Sequence, residues 1–154
     1  MDSLFPVGRA VRNLPNAEDF FEAKQNEVFF GQSWLYDFDS GEFVISSTGK
    51  AAVCSETQAW MQWCQKAIKT PRYHHIIYSR NYGHELDELV GSSYAKSLIE
   101  SEVSRMVKEA LMVDLRTADV DQFAFVWNGD KCTFTCRIIN VYHEHQILQS
   151  EVRI

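Results

Sequence analysis

The last third of the sequence alternates apolar and polar residues over three consecutive segments, and this pattern limits the chain to folds with an antiparallel sheet. In DQFAFVW, three aromatic residues at alternate positions share one face. Asn128-Gly129 follows, and this dipeptide is typical of tight two-residue hairpins. KCTFTCRIINVYH returns with the same alternation, and HQILQSEVRI repeats it a third time. The sequence therefore predicts a three-stranded antiparallel meander whose last strand reaches Ile154.

Two segments with helical periodicity precede these strands. Ser55 is predicted to cap the first helix, with Gln58 three residues later as in a capping box. Pro71 is predicted to end it, because a residue that precedes proline avoids helical angles. The second helix is predicted over about 93–115, where apolar residues alternate spacings of four and three. Between the two helices, YHHIIYS predicts an extended piece and HELDELVG predicts one or two helical turns.

The remaining N-terminal part predicts a hairpin and an arm. Aromatic and β-branched residues flank Asp39-Ser40-Gly41, which favours a hairpin turn. Helices segregated from an antiparallel sheet make an α+β domain, with predicted bounds 27–154. Residues 1–26 contain two prolines and many charges with little apolar periodicity. They are predicted to form an arm that orders only against a partner or a neighbouring domain.

Charge and hydropathy exclude two functional classes. The formal net charge is -6 and the Lys and Arg residues do not cluster, which argues against a nucleic-acid partner. We also expect no membrane insertion, because no stretch approaches the roughly 20 apolar residues that span a bilayer and no signal peptide is recognisable. The protein is therefore expected to be made in the cytosol, with its four cysteines reduced.

The carboxylates do not form a pattern typical of a glycosidase. Glycoside hydrolysis needs two carboxylates that face each other across the sugar in different environments. Glu85, Asp87 and Glu88 are neighbours on one predicted helical turn, so they share an environment and point to different sides. Glu85 with Glu100 is the pair that an enzyme hypothesis would use. A solvated helix face is the simpler interpretation.

The sequence evidence for a metal site and for a catalytic nucleophile is equally weak. His143 and His145 share a strand face and could bind zinc together with Cys132 or Cys136, but the paired C-x-x-C spacing is absent. No G-x-S-x-G sequence or glycine-rich phosphate loop occurs. We therefore predict no catalytic residue, no metal site and no cofactor.

Two features instead favour a protein interface. The segment KTPRYHHIIYSRNYGHE is dense in Arg and Tyr, residue types that are enriched at binding hot spots. The last strand is predicted to be a sheet edge, and an open edge can pair with the backbone of another chain.

Several of these segments are familiar. YDFDSGEFV, WCQKAIKTPRYHHIIYSRNYGHEL, VWNGDK and the terminal EVRI resemble prophage baseplate proteins. These belong to the contractile-tail baseplate wedge proteins known as sheath initiators, some of which are labelled lysozyme-like. The resemblance covers about residues 35–154. Its most specific part is the helix followed by T-P-R-Y-x-x-x-I-Y-S-x-x-Y-G.

The resemblance implies a structural role rather than catalysis. Members of the family sit in the baseplate around the tail tube and offer a sheet edge to which the first ring of sheath subunits adds strands. The implied partners are the sheath protein and other wedge proteins, with tail tube or hub proteins as further candidates. The implied location is the baseplate of a virion or phage-tail-like particle (a tailocin) assembled in the bacterial cytoplasm. A peptidoglycan-cleaving tail enzyme and a metal-stabilised module are the alternatives.

The resemblance also indicates which residues bind partners. Wider relatives carry an E-P-R motif after the first long helix, and Thr70-Pro71-Arg72 matches its place with Thr70 instead of the glutamate. Arg72 is expected either to bind a wedge partner or to order its own loop. Removal of residues 148–154 is expected to leave a folded domain. The candidate partner-binding residues are Thr70, Pro71, Arg72, Tyr73, Tyr82, Leu148, Gln149, Ser150, Glu151, Val152, Arg153 and Ile154.

Overall fold

The computed structural model of the protein describes residues 28–154. The order of elements confirms the predicted α+β class, with an N-terminal hairpin, two main helices and a C-terminal meander; the predicted arm, residues 1–26, lies outside the described residues. The strands are β1 (Gln32–Trp34), β2 (Tyr36–Asp37), β3 (Glu42–Phe43), β4 (Val53–Ser55), β5 (Thr117–Asn128), β6 (Lys131–Asn140) and β7 (His145–Arg153). The helices are α1 (Glu56–Lys69) and α2 (Lys96–Met112), separated by a 3-10 helix, Leu86–Leu89.

The three long strands form one antiparallel sheet in the order β5-β6-β7. The central strand β6 alternates strictly, and Cys132, Phe134, Cys136 and Ile138 are buried on its inner face. Helix α2 contacts β5 and helix α1 contacts β7, so both helices cover this face. Trp60 of α1 joins the same core with no exposed surface. Burial of this apolar layer is the main favourable term in folding.

A bulge in β5 keeps its apolar residues on the core face. The pairing of β5 with β6 shifts between Asp121 and Ala124, where Gln122 has a φ of 52°. An extra residue reverses the side-chain alternation. Val120, before the bulge, is buried, and Phe123, after it, packs against the same core.

The N-terminal strands form two small antiparallel sheets. β1 pairs with β4, and the hairpin of β2 with β3 lies between them in sequence. In the predicted turn, the Gly41 amide donates to the Asp37 carbonyl at 2.9 Å, and Gly41 has a φ of 74° that disfavours other residues.

The start of α1 differs from the capping box that the sequence predicts. Ser55 occupies the N-cap position, but its side chain makes no capping hydrogen bond. The Ser55 backbone is still part of β4, and the Glu56 amide donates to the Gly31 carbonyl at 3.3 Å. Glu56 has a φ of 54°, so the chain turns abruptly from strand to helix. Sheet pairing therefore takes the place of the local cap.

The second helix is shorter than the predicted span of about 93–115. The amides of Leu98 and Ile99 both donate to the Ala95 carbonyl, so the first turn closes on Ala95. At the other end, the Asp114 carboxylate accepts from the Arg116 amide at 2.8 Å and directs the chain into β5. Backbone hydrogen bonds to Ala95 at the start and a side-chain contact of Asp114 after the end thus take the place of the outer predicted turns.

The segment YHHIIYS is not the predicted extended piece but a series of turns. The Tyr78 amide donates to the His75 carbonyl and the Tyr82 amide donates to the Ser79 carbonyl. Tyr73 has a left-handed φ of 69°. The ends of the segment are held close together, so the chain between them has to reverse.

All four cysteines are free thiols with buried side chains. Within residues 28–154, no helix is both long and apolar enough to cross a membrane.

Candidate partner-binding surfaces

Helix α1 ends where the sequence predicts, and a second segment holds the chain that follows it. The Arg72 amide donates to the His84 carbonyl at 2.7 Å, and the His84 amide donates to the Thr70 carbonyl at 3.0 Å. These bonds form a parallel bridge between Pro71 and His84. They close the base of the segment 73–82, which we call the Arg-Tyr loop.

Gly83 allows the two segments to approach. Its φ is 95°, in the region that only glycine adopts readily. A Cβ atom at this position would lie 2.4 Å from the Thr70 carbonyl oxygen and 3.2 Å from the Arg72 nitrogen. Glycine is therefore required for the bridge at the base of the loop.

The Arg72 side chain connects the base of the loop to α2. It is 8% exposed, and Nη1 donates to Glu85 Oε1 at 2.9 Å and to Glu109 Oε1 at 3.1 Å. Nε donates to the Gly83 carbonyl at 3.3 Å. Glu109 also accepts from Arg105 at 3.1 Å. These are the contacts expected if the Arg72 guanidinium group orders its own loop, and binding of a wedge partner by Arg72 stays a prediction.

His84 lies beside this network with 7% of its surface exposed. Its Nδ1 accepts from the Leu86 amide at 3.0 Å, so the proton of the neutral ring is on Nε2. Burial lowers the pKa of His84 below its ordinary value, and the Arg72 charge lowers it further while Asp87 opposes both. The ring therefore favours the neutral form that accepts the Leu86 hydrogen bond.

Tyr82 fixes the Arg-Tyr loop against α1. Its ring is 5.6 Å from Trp63 and 4.6 Å from Tyr78, measured between centroids. The Lys66 ammonium lies 4.9 Å from the centroid of Tyr78. Burial raises the pKa of Tyr82 to about 12. Tyr82, one of the residues predicted to bind partners, is thus half-buried between Trp63 and Tyr78.

The tip of the loop is exposed and apolar. Tyr73 is 68% exposed, and Ile76 and Ile77 have almost their whole surface in solvent. Of the two tyrosines predicted to bind partners, Tyr73 is the one whose ring is available.

Strand β7 lies at one edge of the main sheet, because within residues 28–154 it pairs only with β6. Leu148 and Val152 are buried in the core, whereas Gln149, Glu151 and Arg153 are exposed. The terminal segment therefore contributes to the core as well as forming a sheet edge. Because its removal would take two buried side chains from the core, we expect the truncated domain to be destabilised, unlike the expectation from the sequence.

The register of β7 shows which backbone groups are free. The Ile154 amide donates to the Asp130 carbonyl at one end, and the Asn140 amide donates to the Glu144 carbonyl at the other. The pairing between them has no register shift. Hydrogen-bonded pairs alternate along an antiparallel ladder. Even-numbered residues of β7 therefore bond to β6, and the amides and carbonyls of residues 147, 149, 151 and 153 point outward.

The carboxylate pair of the enzyme hypothesis is engaged in other contacts. Glu85 binds Arg72, as described above. Glu100 Oε1 accepts from the Trp127 indole nitrogen at 2.8 Å. Each carboxylate thus holds a neighbouring element of the fold.

The potential zinc ligands are not brought together. Cys132 and Cys136 are buried on the core face, whereas His145 is exposed on β7. In the part of the chain that the structure describes, no three His, Cys, Asp or Glu side chains are placed to bind a metal ion.

Comparison with known proteins identifies the family. The sequence profile of contractile injection system sheath initiators matches residues 32–143. This chain belongs to that family. The Phage-like element PBSX protein XkdS of Bacillus subtilis (strain 168) is 28% identical over 110 residues, which are 71% of this chain and 74% of that protein. The sheath initiator family confirms the resemblance noted in the sequence, and it assigns the chain a structural role in the baseplate of a contractile phage-type tail.

A solved structure shares the fold. A crystal structure described as a tail lysozyme from Geobacter sulfurreducens matches this sheath initiator with a TM-score of 0.56. The match covers 68% of this chain and 96% of the other, at 14% sequence identity. At that identity, the likeness extends to the fold alone.

The geometry shows what Thr70 and Arg72 contact at the place that the resemblance matches to the E-P-R motif. Arg72 receives its carboxylates from Glu85 and Glu109, which lie on other elements. The Thr70 hydroxyl instead donates to the Lys66 carbonyl at 2.7 Å, at the end of α1.

Sequence reasoning missed four residues that build this region, Gly83, His84, Glu85 and Glu109. The first three are adjacent in the block Y-G-H-E, which the resemblance to sheath initiators includes. A glycine next to a histidine after a long polar and aromatic loop is the signal that could have indicated a close backbone approach. Glu109 carries no such signal, because it is one of several acidic residues on α2.

Proposed function

We propose that this sheath initiator starts sheath assembly without catalysis. In this proposal β7 receives a strand from a sheath subunit, and the Arg-Tyr loop binds other wedge proteins around the tail tube. The observation that carries the proposal is the open outer edge of β7 within the described residues. The site of action is the baseplate of a virion or phage-tail-like particle, assembled in the host cytoplasm.

Backbone energetics support strand addition at β7. The outward residues 147, 149, 151 and 153 each offer one amide and one carbonyl. Each new hydrogen bond contributes a net ~0.5–1.5 kcal/mol. Several such bonds, together with side-chain contacts on the core face, could hold a subunit through its backbone.

The Arg-Tyr loop supports contact with a second partner. Its base is closed by the Pro71–His84 bridge and the Arg72 ion pairs, so the two ends of the loop are held together before any partner binds. Its tip presents Ile76 and Ile77 to solvent. A rigid loop with an exposed apolar tip loses little conformational entropy on binding. A wedge protein is the proposed partner, and a tail tube or hub protein is the alternative.

A blocked edge tests the strand-addition proposal. Gln149→Pro removes one outward amide but leaves the even-numbered pairs to β6 in place. Gln149→Ala is the matched control, because it keeps the amide and removes only the exposed side chain. We expect both variants to fold, and we expect only the proline variant to lose the ability to seed sheath polymers from purified sheath protein, as seen by electron microscopy. Normal seeding by Gln149→Pro would sink the proposal.

The alternative function is cleavage of peptidoglycan, and the fold shared with a protein described as a tail lysozyme is the reason to test it. Glu85 and Glu100 are the carboxylates that the reaction would use. We expect the wild-type protein to leave the turbidity of a cell-wall suspension unchanged. A fall in turbidity that disappears in the Glu85→Gln and Glu100→Gln variants would establish the enzyme.

A further inference from the structure

The outer edge of β7 does not face open solvent along its whole length. At Leu148, Gln149 and Ser150 it opens into a crevice of about 180 Å³. One wall is α1, and the other is the β2–β3 hairpin. The remaining lining residues are Tyr36, Asp37, Phe38, Asp39, Gln65, Ile68 and Lys69. This volume is smaller than the roughly 300–1,000 Å³ of typical small-molecule sites, so the crevice suits a side chain rather than a cofactor.

Strand geometry places one side chain of an added strand in the crevice. Side chains of directly paired residues lie on the same face of a sheet. Leu148 and Ser150 have their side chains on the core face, where Ile68 of α1 is also buried. A strand paired with β7 therefore directs the residue opposite Leu148 or Ser150 toward α1 and the hairpin.

The charges that line the crevice favour a basic side chain. Asp37 and Asp39 contribute two carboxylates against the single ammonium group of Lys69, which lies 5.9 Å from the centroid of Phe38. Asp37 Oδ1 accepts from the Asp39 and Ser40 amides, at 2.9 and 3.4 Å. The Asp39 amide is the main reason that the pKa of Asp37 is lowered, and the carboxylate is therefore ionised at neutral pH.

The apolar parts of the same walls suit the stem of a long basic side chain. Phe38 is half-buried and Ile68 is buried beside the edge of β7. Lys and Arg lay their methylene stems on apolar surface while the charged head remains near water. The whole chain carries a net charge of -6, which also attracts a basic segment and disfavours a second copy of this chain as the occupant.

We propose that this crevice selects the strand that adds to β7, by accepting one inward-facing Lys or Arg side chain of a partner's extended segment. The inference rests on the proposed function, because it specifies the chemistry of the strand that β7 receives. Asp37 and Asp39 bind the charged head, and Phe38 and Ile68 contact the stem.

Synthetic strand peptides test this selection on the full-length protein. Each peptide has nine residues, the length of β7, with alternating Thr and Val and one guest residue on the Val face. The guests are Lys, norleucine, Glu and Ala. Affinity is measured by titration of the amide resonances of Gln149 and Glu151. We expect the Lys peptide to bind about two- to fivefold more tightly than the norleucine peptide, and the Glu peptide to bind most weakly.

Two variants assign the effect to the crevice. Asp39→Asn should reduce the preference for Lys over norleucine, whereas Asp130→Asn, in the β5–β6 turn beside Ile154, should leave it unchanged. Gln149→Pro should abolish binding of every peptide.

The outcomes separate the inference from the proposed function. If the guests bind equally and Gln149→Pro still abolishes binding, the selection by the crevice is wrong and strand addition stands. If no peptide binds, or if the Gln149→Pro variant binds the peptides normally, then selection by the crevice and strand addition to β7 are both wrong. A preference for norleucine or Glu overturns the basic occupant. A dimer in sedimentation that Gln149→Pro dissociates would identify a second copy as the occupant and overturn the inference.

Discussion

At the scale of single residues, Arg72 shows how one side chain can hold a candidate binding surface without forming that surface itself. Its guanidinium group joins the end of α1, the base of the Arg-Tyr loop and α2. The planar fork of arginine suits two carboxylates and a carbonyl at once. Because the side chain is largely buried, a partner would contact the loop that Arg72 holds rather than Arg72 itself.

Arg72→Ala is therefore expected to destabilise the isolated protein. The change leaves Glu85 without its partner and removes the bond to the Gly83 carbonyl. We expect a loss of about 2–4 kcal/mol in the free energy of unfolding, measured by urea denaturation. Arg80→Ala, at an exposed position in the same loop, is the control and should change stability by less than about 0.5 kcal/mol. Equal stability of Arg72→Ala and wild type would show that Arg72 does not order the domain.

His84 should make stability depend on pH. Its folded pKa lies below the value of about 6.5 expected for the unfolded chain, mainly because the ring is buried. The unfolded chain then binds the proton more tightly, so stability is fully present above about pH 6.5 and is lost as the pH falls toward the folded pKa.

The measurement is the urea midpoint between about pH 7.5 and about pH 5.5, above the range in which the carboxylates titrate. We expect the midpoint to fall with pH in the wild type and to fall less in His84→Gln. His145→Gln, at an exposed position, should keep the wild-type slope. An unchanged slope in His84→Gln would remove His84 as the cause.

Gly83 offers a second test of the loop base, with Gly91 as a matched control. Both glycines have positive φ, 95° and 74°, but a Cβ atom meets nothing within 4 Å at Gly91. Gly91→Ala should therefore cost only the strain of the left-handed backbone, about 1–2 kcal/mol. Gly83→Ala adds a clash with the Thr70 carbonyl and should cost at least about 1–3 kcal/mol more. Equal thermal shifts for the two variants would contradict this account of the bridge.

At the scale of elements, the sequence predicts what is periodic and local. The alternation in the last third and the Asn128-Gly129 turn correctly predict β5, β6 and β7, because a half-buried sheet requires that period. Pro71 correctly predicts the end of α1. The bulge at Gln122 is not predicted, since the aromatic alternation after it is regular by itself.

The parts of the site that the sequence does not predict depend on contacts between distant segments. The Ser55 cap is replaced by pairing with Gly31, and the extended YHHIIYS is replaced by turns because Pro71 and His84 pair across the loop. The carboxylate partners of Arg72 come from two other elements. Such contacts have no local signature in the sequence.

The two faces of β7 should respond differently to truncation of their side chains. Leu148 is 2% exposed in the core, whereas Ile147 is 61% exposed on the outer face. Leu148→Ala should cost about 2–5 kcal/mol of unfolding free energy, and Ile147→Ala should cost less than about 0.5 kcal/mol. Denaturant titration measures both. Similar losses for the two variants would mean that the register of β7 with β6 differs from the one described.

At the scale of the whole molecule, the described residues contain one continuous core. It extends from Phe30 to Val152 and includes both helices and the main sheet. Phe30 is 7% exposed, and its carbonyl accepts from Arg116 Nη1 at 2.8 Å. The Phe30 ring lies 5.1 Å from Tyr142, whose hydroxyl donates to the Val28 carbonyl at 3.1 Å. The contacts of the described residues therefore extend to Val28 at the N-terminal end, and the predicted domain bounds, 27–154, stay a prediction.

Expression of residues 28–154 alone tests this boundary together with the proposed location of the binding surfaces. The fragment keeps the core that the described residues form and both the Arg-Tyr loop and β7. We therefore expect it to unfold in one cooperative transition and, under the proposed function, to seed sheath polymers. A fragment that begins at residue 32 loses Phe30 and should be less stable by about 3–5 kcal/mol, as in truncation of a buried phenylalanine. If the 28–154 fragment folds but does not seed, residues 1–27 contribute to the interface and β7 alone is not sufficient. If it does not fold, the core described above is incomplete and the domain begins earlier in the sequence.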